Sequence, residues 1–420
     1  MAQYIEDELV PQNIDFNTAR IKVIGVGGGG SNAVCRMYEE GIKDVEFLIC
    51  NTDKQALDGF PAIDKLQLGT VLTKGLGAGC DPEKGRNAAI ESIEEIKKSI
   101  GSNIEMVFIT AGMGGGTGTG AAPVIAKVSR EMGLLTIGVV TTPFKDDGYE
   151  TLNRAYNGLE ELKKYVDSLL IIDNEKIYDI YGQIDFISAL KEADNVLTTA
   201  VKGITEIITV RGHINVDMAD VKMVMKDSGM ALMGMGKGFG ENRAMEAVEE
   251  AFKSPLLNDF DLRTAKNALV NISSNENDGI KAAELKAIME YIKEYTGKDI
   301  EKFKRGVVID NSLEPGSISI TVVATGFTMH FEPPRVIKNK ISEENLITVE
   351  DTPEDSNRIE LTPLINNDNT ASTGNLRHIN INDISIYTDD INISDYENET
   401  ALSRLTRARE QRIKEEQANE

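Results

Sequence analysis

Short apolar runs recur along the first half of the chain and are separated by stretches with helical periodicity. The runs lie at residues 20–26, 45–51, 105–110, 134–141 and 168–173, and each has the length of a buried strand. Strands that alternate with helices predict a parallel sheet covered by helices on both faces. We therefore expect an α/β domain over residues 20–185.

A longer helical pattern follows at residues 186–210. Its apolar residues recur three and four positions apart on more than one stripe, which predicts a central helix, residues 186–211, packed on two sides. Beyond it, helices and strands are expected at residues 242–253, 267–272, 280–295, 306–311 and 318–324. This mixture predicts a smaller α+β domain within residues 212–330.

The two ends of the chain lack such patterns. Residues 1–19 are interpreted as an N-terminal extension. Residues 341–400 hold fourteen Asp or Glu, ten Asn and two Lys or Arg, so we expect an acidic disordered linker over residues 331–400. Residues 401–420 are basic and then acidic, with helical potential but few apolar anchors, which indicates a C-terminal tail that binds a partner.

Charge and composition narrow the range of functions. The net charge is −23, which argues against binding of nucleic acid through a basic surface. No apolar stretch reaches the roughly 20 residues that span a bilayer, and the N-terminus has no signal-peptide pattern, so we expect a cytoplasmic protein. Cys35, Cys50 and Cys80 are spaced too widely for a metal or disulfide framework, and we interpret them as packing residues.

Three glycine-rich segments carry the candidate chemistry. They are GGGGSN at 27–32, GLGAG at 75–79 and GMGGGTGTG at 112–120. Glycine lets backbone N–H groups lie directly against a ligand, and a helix N-terminus favours an anion. Loops after parallel strands meet at the carboxyl edge of the sheet. Three such loops predict a site for a nucleotide di- or triphosphate, whereas the lack of GxxxxGK[ST] disfavours a Walker-type ATPase.

The first glycine segment has another interpretation. Residues 25–30 satisfy GxGxxG, and Glu46 follows about 20 residues later, as in a dinucleotide-binding site. No constellation for hydride transfer accompanies the pattern. Glycines that only permit close packing of strand and helix are the simpler explanation, and a nucleotide-dependent oxidoreductase is the weakest functional hypothesis.

Asp217 and Asp220 lie three residues apart at the expected start of a helix. Capping of the helix N-terminus is the simplest explanation, and positioning of a water molecule is the alternative. The far end of the central helix is expected to point away from the nucleotide. A catalytic role would therefore require these aspartates to act on the ligand of another subunit.

A group of methionines follows the aspartates: Met218, Met223, Met225, Met230, Met233 and Met235. Adaptable filling of the core is the simplest explanation, and a surface between subunits is the alternative.

Together the motifs resemble the FtsZ family of bacterial cell-division GTPases, the prokaryotic relatives of tubulin. The resemblance rests on GGGGSN at 27–32, GLGAG at 75–79, GGGTGTG at 114–120, NVDMAD at 215–220 and TVVATGF at 321–327. It implies a tubulin-like GTPase domain over residues 20–185. It also implies a protein that binds GTP and GDP, with Mg²⁺ accompanying the nucleotide, and that polymerises head to tail.

The resemblance also implies roles for individual residues. The nucleotide and its phosphates are expected to contact Gly28, Gly29, Gly30, Ser31, Asn32, Ala78, Gly79, Gly114, Gly115, Gly116, Thr117 and Gly118. Asn174 and Asp194 would recognise guanine. Asn215, Asp217 and Asp220 would enter the neighbouring subunit's site and orient or polarise the attacking water. No separate metal site made of protein side chains is implied.

Three positions depart from the family pattern. Asp147 and Thr151 stand where the family usually has Glu and Arg near the ribose and phosphates, and Leu190 stands where it usually has Phe against guanine. We expect Leu190 to forgo aromatic stacking worth about 0.5–1.5 kcal/mol. Arg154 lies one helical turn beyond Thr151, and our hypothesis is that it reaches back to supply the missing cation.

The first functional hypothesis is an assembly-dependent GTPase that forms the cytokinetic filament, or Z-ring, of a dividing bacterium. The alternative is a filament-forming scaffold with weak or absent GTP turnover. Expected partners are further copies of the same chain and, through residues 401–420, division and membrane-adaptor proteins at the division site. We expect neither nucleic-acid binding nor direct membrane insertion.

Overall fold

The structure, a computed structural model, describes the chain in six ranges and one isolated strand pair. The ranges are residues 20–60, 63–176, 185–210, 212–254, 264–296 and 300–327. In the C-terminal segment, Arg358–Ile359 pairs antiparallel with Ile379–Asn380. The expectations for residues 1–19, for residues 331–400 apart from that pair, and for residues 401–420 lie outside the described residues.

Six parallel strands form the first half of the main sheet. They are β1 (Ile21–Val26), β2 (Val45–Asn51), β3 (Asp64–Gln67), β4 (Met106–Gly112), β5 (Leu135–Thr142) and β6 (Ser168–Asp173). Their order is β3-β2-β1-β4-β5-β6, and each neighbouring pair is parallel. β1 is buried along its whole length, as expected of a strand covered on both faces. The predicted parallel sheet is confirmed.

Helices connect these strands and cover the sheet. They are α1 (Gly27–Glu39), α2 (Lys54–Asp58), α3 (Thr70–Thr73), α4 (Pro82–Glu91), α5 (Ile93–Ile100), α6 (Thr117–Glu131) and α7 (Tyr149–Leu162). Helix α1 begins directly after β1, and only four residues separate the end of β4 from the start of α6, so both N-termini lie at the carboxyl edge of the sheet. Within the described ranges, no helix combines the length and the apolar character needed to cross a membrane.

The long helix predicted after the first strands is α8 (Phe186–Thr209). Its buried residues Leu197, Val201 and Ile204 belong to the same core as β5 and α1. On another side, a Cβ atom added at Gly203 would lie 2.8 Å from Met233 Cε, in the second half of the fold. The helix therefore packs on two sides, as its pattern predicts.

The second half of the fold continues the same sheet. Its elements are β7 (Gly212–Ile214), α9 (Met218–Met225), β8 (Gly229–Phe239), α10 (Arg243–Phe252), β9 (Asn267–Ser274), α11 (Ala282–Thr296), β10 (Lys302–Ile309) and β11 (Ser317–Phe327). The strand order β6-β8-β11-β9-β10-β7 makes one eleven-stranded sheet of the described strands.

Strand β8 was not expected from the sequence and joins the two halves. It pairs parallel to β6 and antiparallel to β11. Glycine occupies alternate positions near its end, and a Cβ atom added at Gly238 would lie 1.9 Å from the Arg243 carbonyl oxygen of α10. Met230 and Met233 of this strand are buried, which supports core filling for them, whereas Met223 on α9 is 38% exposed.

The contact between α6 and α4 yields a test of packing. Gly120→Ala should lower the free energy of unfolding by about 2 kcal/mol or more, because overpacking strains the backbone. A Cβ atom there would lie 1.9 Å from the Pro82 carbonyl oxygen. Gly59→Ala is the control, since its added Cβ would be 3.6 Å from the nearest atom, the Ala56 carbonyl oxygen. Urea unfolding followed by circular dichroism compares them, and equal midpoints would contradict the close contact.

Candidate functional site

The three glycine segments meet at the carboxyl edge of the parallel strands. The N-terminal turns of α1 and α6 touch, since a Cβ atom added at Gly27 would lie 2.9 Å from the Gly118 backbone nitrogen. The third segment joins them, because a Cβ atom added at Gly116 would lie 2.9 Å from the Ala78 Cβ. A buried hydroxyl pair, Thr52 Oγ1 and Thr117 Oγ1 at 2.7 Å, links the residue that follows β2 to the first residue of α6. The structure thus brings together the loops that the sequence predicted to meet.

The first turns of α1 and α6 are the part of this edge that best suits an anion. The leading N–H groups of a helix have no partner inside the helix, and its macrodipole favours negative charge there. Neither helix has a side-chain cap at its N-terminus. Neither helix has an acidic residue in its first turn. Both N-termini are therefore suited to bind phosphate oxygens.

A cavity of about 410 Å³ opens beside these turns. The predicted site residues that line it are Gly29, Asn32, Gly114, Gly115, Asp147, Thr151, Asn174, Leu190 and Asp194. They come from six different loops or helices. Convergence of distant segments on one cavity is the usual anatomy of a ligand site.

The other predicted loop residues lie in the same segments but outside the cavity lining. Those at exposed positions are Gly28 and Gly79, and those at buried positions are Gly30, Ser31, Ala78, Gly116, Thr117 and Gly118. Gly30 has a packing role of its own, since a Cβ atom there would lie 2.2 Å from the Thr110 carbonyl oxygen of β4.

A larger cavity, about 530 Å³, lies on the other side of α6, between α4 and α7. None of the residues predicted to bind nucleotide lines it. The smaller cavity is the better candidate because it lies where the parallel strands end and because it is lined by a buried acceptor that has no partner in the described part of the chain.

That acceptor is Asn174 Oδ1, which follows β6. Asn174 is 8% exposed, and its side-chain oxygen has no hydrogen-bond partner among the residues that the structure describes. Asp194 of α8 lines the same cavity, and burial raises its pKa to about 6, with the charge of Arg36 partly offsetting the shift. Leu190, one turn earlier on α8, is 39% exposed. A buried amide oxygen and a half-buried carboxylate together form an acceptor pair for a ligand with N–H donors.

The side chains at the departures from the family pattern also lie at this cavity. Asp147 accepts from the Phe144 backbone N–H at 2.9 Å and so holds the turn before α7. Arg154 donates from Nε to the Gly114 carbonyl oxygen at 2.9 Å and from Nη2 to Thr151 Oγ1 at 3.1 Å. Arg154 thus reaches back along α7 to the glycine loop, as hypothesised.

Cys80 corrects one expectation. Cys35 and Cys50 are buried, as expected of packing residues, but Cys80 is exposed and lines the cavity. It has a left-handed backbone with φ of 59°. Its position directly after GLGAG was the sequence signal that pointed to the site.

Glu46 excludes the dinucleotide interpretation. It is the second residue of β2 and therefore lies at the amino edge of the sheet, opposite the glycine loops. Its carboxylate accepts from Lys22 Nζ at 2.9 Å. In a dinucleotide site the acidic residue lies at the carboxyl edge, near the ribose.

Asp217 and Asp220 form the capping box at the start of α9. Asp217 Oδ1 accepts from the Asp220 N–H at 2.8 Å, and Asp220 Oδ2 accepts from the Asp217 N–H at 3.4 Å. Asn215, just before them, is exposed. These three residues do not line the cavity. The simple explanation, helix capping, is confirmed, and the aspartates are separated from the cavity of their own subunit.

Comparison with known proteins identifies the family. The Tubulin/FtsZ family GTPase-domain model matches residues 20–182, and the FtsZ family C-terminal-domain model matches residues 229–328. The cell division protein FtsZ of Pseudomonas aeruginosa is 47% identical over 326 residues, 77% of this chain and 82% of that protein. The chain belongs to the tubulin/FtsZ family. FtsZ of Buchnera aphidicola is likewise 47% identical, over 79% of this chain and 85% of that protein.

Solved structures agree with this assignment. The FtsZ dimer of M. jannaschii has 43% sequence identity and a TM-score of 0.68, covering 74% of this chain and 88% of that chain. CetZ2 from Haloferax volcanii has 21% sequence identity and a TM-score of 0.62. The match covers 73% of this chain and 92% of that chain and shows that the fold is shared. The resemblance inferred from the motifs is confirmed, and with it the expectation of a filament-forming GTPase of cell division.

Arg154 generates a test within the tubulin/FtsZ family. Arg154→Ala should weaken GTP binding about tenfold, because it removes a charge-assisted hydrogen bond to the glycine loop and a cation from the cavity. Arg130→Ala is the control and should bind GTP like the wild type. Arg130 lies on α6, pairs with Asp227 and does not line the cavity. Titration calorimetry measures both affinities. Unchanged GTP affinity and turnover in Arg154→Ala would rule out the compensating role.

Proposed function

We propose that this protein is a GTPase of bacterial cell division that polymerises head to tail, with each active site completed by the next subunit. One observation carries the proposal. Asp217 and Asp220 follow α8, whereas Asp194 of the same helix lines the cavity. At 1.5 Å of rise per residue, about 22 Å of helix separates Asp194 from Thr209. At that distance the aspartates would act on the nucleotide of another copy.

The phosphates of GTP are bound mainly by backbone N–H groups in this proposal. Residues 28–32 and 114–118 present the first turns of α1 and α6, and Ala78 and Gly79 approach from the third segment. No lysine occurs in residues 112–120. Backbone dipoles and the Arg154 guanidinium therefore offset the phosphate charge, in a preorganised arrangement that costs no reorganisation during the reaction.

Mg²⁺ accompanies the nucleotide. The described residues contain no group of three or more His, Cys, Asp or Glu side chains that could hold a metal ion. Mg²⁺ commonly keeps several waters and binds substrate phosphates with few protein ligands, so it would enter with GTP and be held chiefly by the phosphates. When bound, the ion offsets negative charge on the phosphate oxygens.

Guanine is recognised by Asn174 and Asp194. An ionised Asp194 accepts from the N1–H and the exocyclic amine of guanine, a pair of donors that adenine does not present in the same arrangement. The buried Asn174 Oδ1 has no partner within the described residues and is available as a further acceptor. Leu190 contacts the base without aromatic stacking. A base whose N–H groups satisfy the Asn174 oxygen and the Asp194 carboxylate is therefore favoured over one that leaves a buried acceptor unpaired.

Hydrolysis uses residues at the opposite end of the molecule. Asn215, Asp217 and Asp220 enter the cavity of the neighbouring subunit and orient or polarise the water that attacks the terminal phosphate in line. Because the two contacting surfaces differ, the contact is heterologous and propagates as an open filament. Hydrolysis then depends on assembly.

The remaining parts of the proposal concern location and partners. The filament forms the Z-ring at the division site in the cytoplasm, and residues 401–420 bind division and membrane-adaptor proteins. The net charge of −23 disfavours nucleic acid as a partner.

A second candidate is a filament-forming scaffold with weak GTP turnover. Thr151 supplies no cation, and the Asp147 carboxylate is engaged by the Phe144 N–H, which favours this candidate. The contact of Arg154 with Gly114 and Thr151 favours the active GTPase, because it places a cation where Thr151 lacks one.

Asp194 predicts how GTP affinity depends on pH. Its pKa in the free protein is about 6, above the ordinary value for aspartate, so the carboxylate is ionised at pH 7.5 and takes up a proton as pH falls through 6. GTP affinity should therefore fall, approaching tenfold per pH unit below pH 6. The phosphates of GTP also titrate in this range. Asp194→Asn binds the same phosphates but has no carboxylate at position 194, so the difference between the two pH profiles reports the titration of Asp194. Parallel pH profiles for wild type and Asp194→Asn would contradict this assignment.

The in-trans role is tested with Asp220→Ala. Wild-type phosphate release should rise steeply above a critical protein concentration, in step with the pelleted polymer. Asp220→Ala should bind GTP normally and lose turnover by a factor of about 10² or more. Mixing it with Asp194→Ala should restore part of the activity, because some contacts then pair an intact cavity with intact aspartates. Pelleting of wild type without turnover would support the scaffold, and loss of GTP binding in Asp220→Ala would overturn the in-trans role.

A further inference from the structure

A lysine from a distant strand is bonded to one of the proposed catalytic aspartates. Lys304 Nζ lies 2.6 Å from Asp220 Oδ1, and the other carboxylate oxygen of Asp220 accepts from the Asp217 N–H. The Lys304 and Asp220 side chains are 38% and 24% exposed. Both oxygens of the Asp220 carboxylate therefore have partners on different elements, which restricts the rotation of the side chain.

The strand that carries Lys304 is well anchored. β10 pairs with β9 along its full length and with β7, the strand just before the aspartates. Side chains two residues apart on a strand share a face, so Lys302 and Lys304 both point toward α9. Lys302 Nζ donates to the Met223 carbonyl oxygen at 3.1 Å. One lysine thus binds the backbone of α9, and the other binds its proposed catalytic carboxylate.

Helix α9 has other contacts that hold its backbone. The Val224 carbonyl oxygen accepts from Asn267 Nδ2 and from Thr325 Oγ1, and the Met225 carbonyl oxygen accepts from Ser168 Oγ. Because these bonds hold the end of the helix, the contact of Lys304 acts chiefly on the side chain of Asp220. A partly exposed ion pair also adds little to folding stability.

We propose that Lys304 is a positioning residue for GTP hydrolysis. Its ammonium group fixes the Asp220 carboxylate in one orientation before the subunits dock. It also offsets one of the negative charges that Asp217 and Asp220 bring toward the phosphates of the neighbouring subunit, where like charges would otherwise repel. This inference rests on the proposed function, in which Asp220 acts on the nucleotide of the next subunit.

The test compares Lys304→Met, Lys304→Arg and Lys302→Met in the full-length protein. GTP affinity is measured below the critical concentration, and phosphate release is expressed per pelleted subunit. Lys304→Met should keep its GTP affinity and lose about tenfold in turnover per assembled subunit, as expected when a reacting group is misplaced. Lys304→Arg should recover turnover to within about twofold. Lys302→Met removes the neighbouring contact with α9 and should match the wild type.

Wild-type turnover per assembled subunit in Lys304→Met would overturn the inference, and so would an equal loss in Lys302→Met. If Lys304→Met does not pellet alone, it is copolymerised with an equal amount of wild type. Half of the contacts then use the variant's Asp220, so turnover per subunit should be about half that of the wild type. Full wild-type turnover in the copolymer would overturn the inference. The proposed function is distinguished by Asp220→Ala. Retained turnover in that variant refutes the proposed function, whereas lost turnover there together with normal turnover in Lys304→Met refutes only the role of Lys304.

Discussion

The site depends on the close approach of backbones at the carboxyl edge of the sheet. A Cβ atom at Gly30 of α1 would lie 2.2 Å from the Thr110 carbonyl oxygen of β4, and one at Gly118 of α6 would lie 2.6 Å from the Gly112 carbonyl oxygen at the end of that strand. Only glycine at these positions lets the two helix N-termini lie side by side. The two first turns then lie together at the edge of the sheet where the cavity opens, and their leading N–H groups suit an anion without a lysine.

The second constraint is the length and packing of α8. Its buried side chains join the core of the first half, and Gly203 approaches Met233 of the second half. The helix therefore packs against both halves of the fold and fixes their relative position. One end lies at the cavity through Leu190 and Asp194, and the other leads to β7 and the aspartates of α9. The fold therefore separates nucleotide binding from the proposed catalytic groups within one molecule.

The sequence was most informative where local pattern decides structure. Apolar runs predicted β1, β2, β4, β5 and β6, and glycine motifs predicted which loops meet. Strand β8 was missed because its glycines and methionines lack the β-branched character of a typical strand, and its pairing with β6 and β11 is set by tertiary contacts. The contact of Lys304 with Asp220 was not predictable from the sequence, since it joins residues far apart in the chain through sheet register. Cys80 was misinterpreted because the number and spacing of the cysteines were considered without the glycine-rich segment that directly precedes this residue.

The separation of cavity and aspartates has a consequence for the ends of the proposed filament. One terminal subunit carries a nucleotide that no aspartates reach, and the subunit at the opposite end carries aspartates with no nucleotide to act on. A polymer of n subunits thus contains n nucleotides but n − 1 complete sites. The terminal nucleotide is not hydrolysed, so one end of the filament keeps GTP longer than the rest. Average turnover per subunit therefore rises with filament length. The polarity of the filament and the difference in nucleotide state along it both follow from the position of α8.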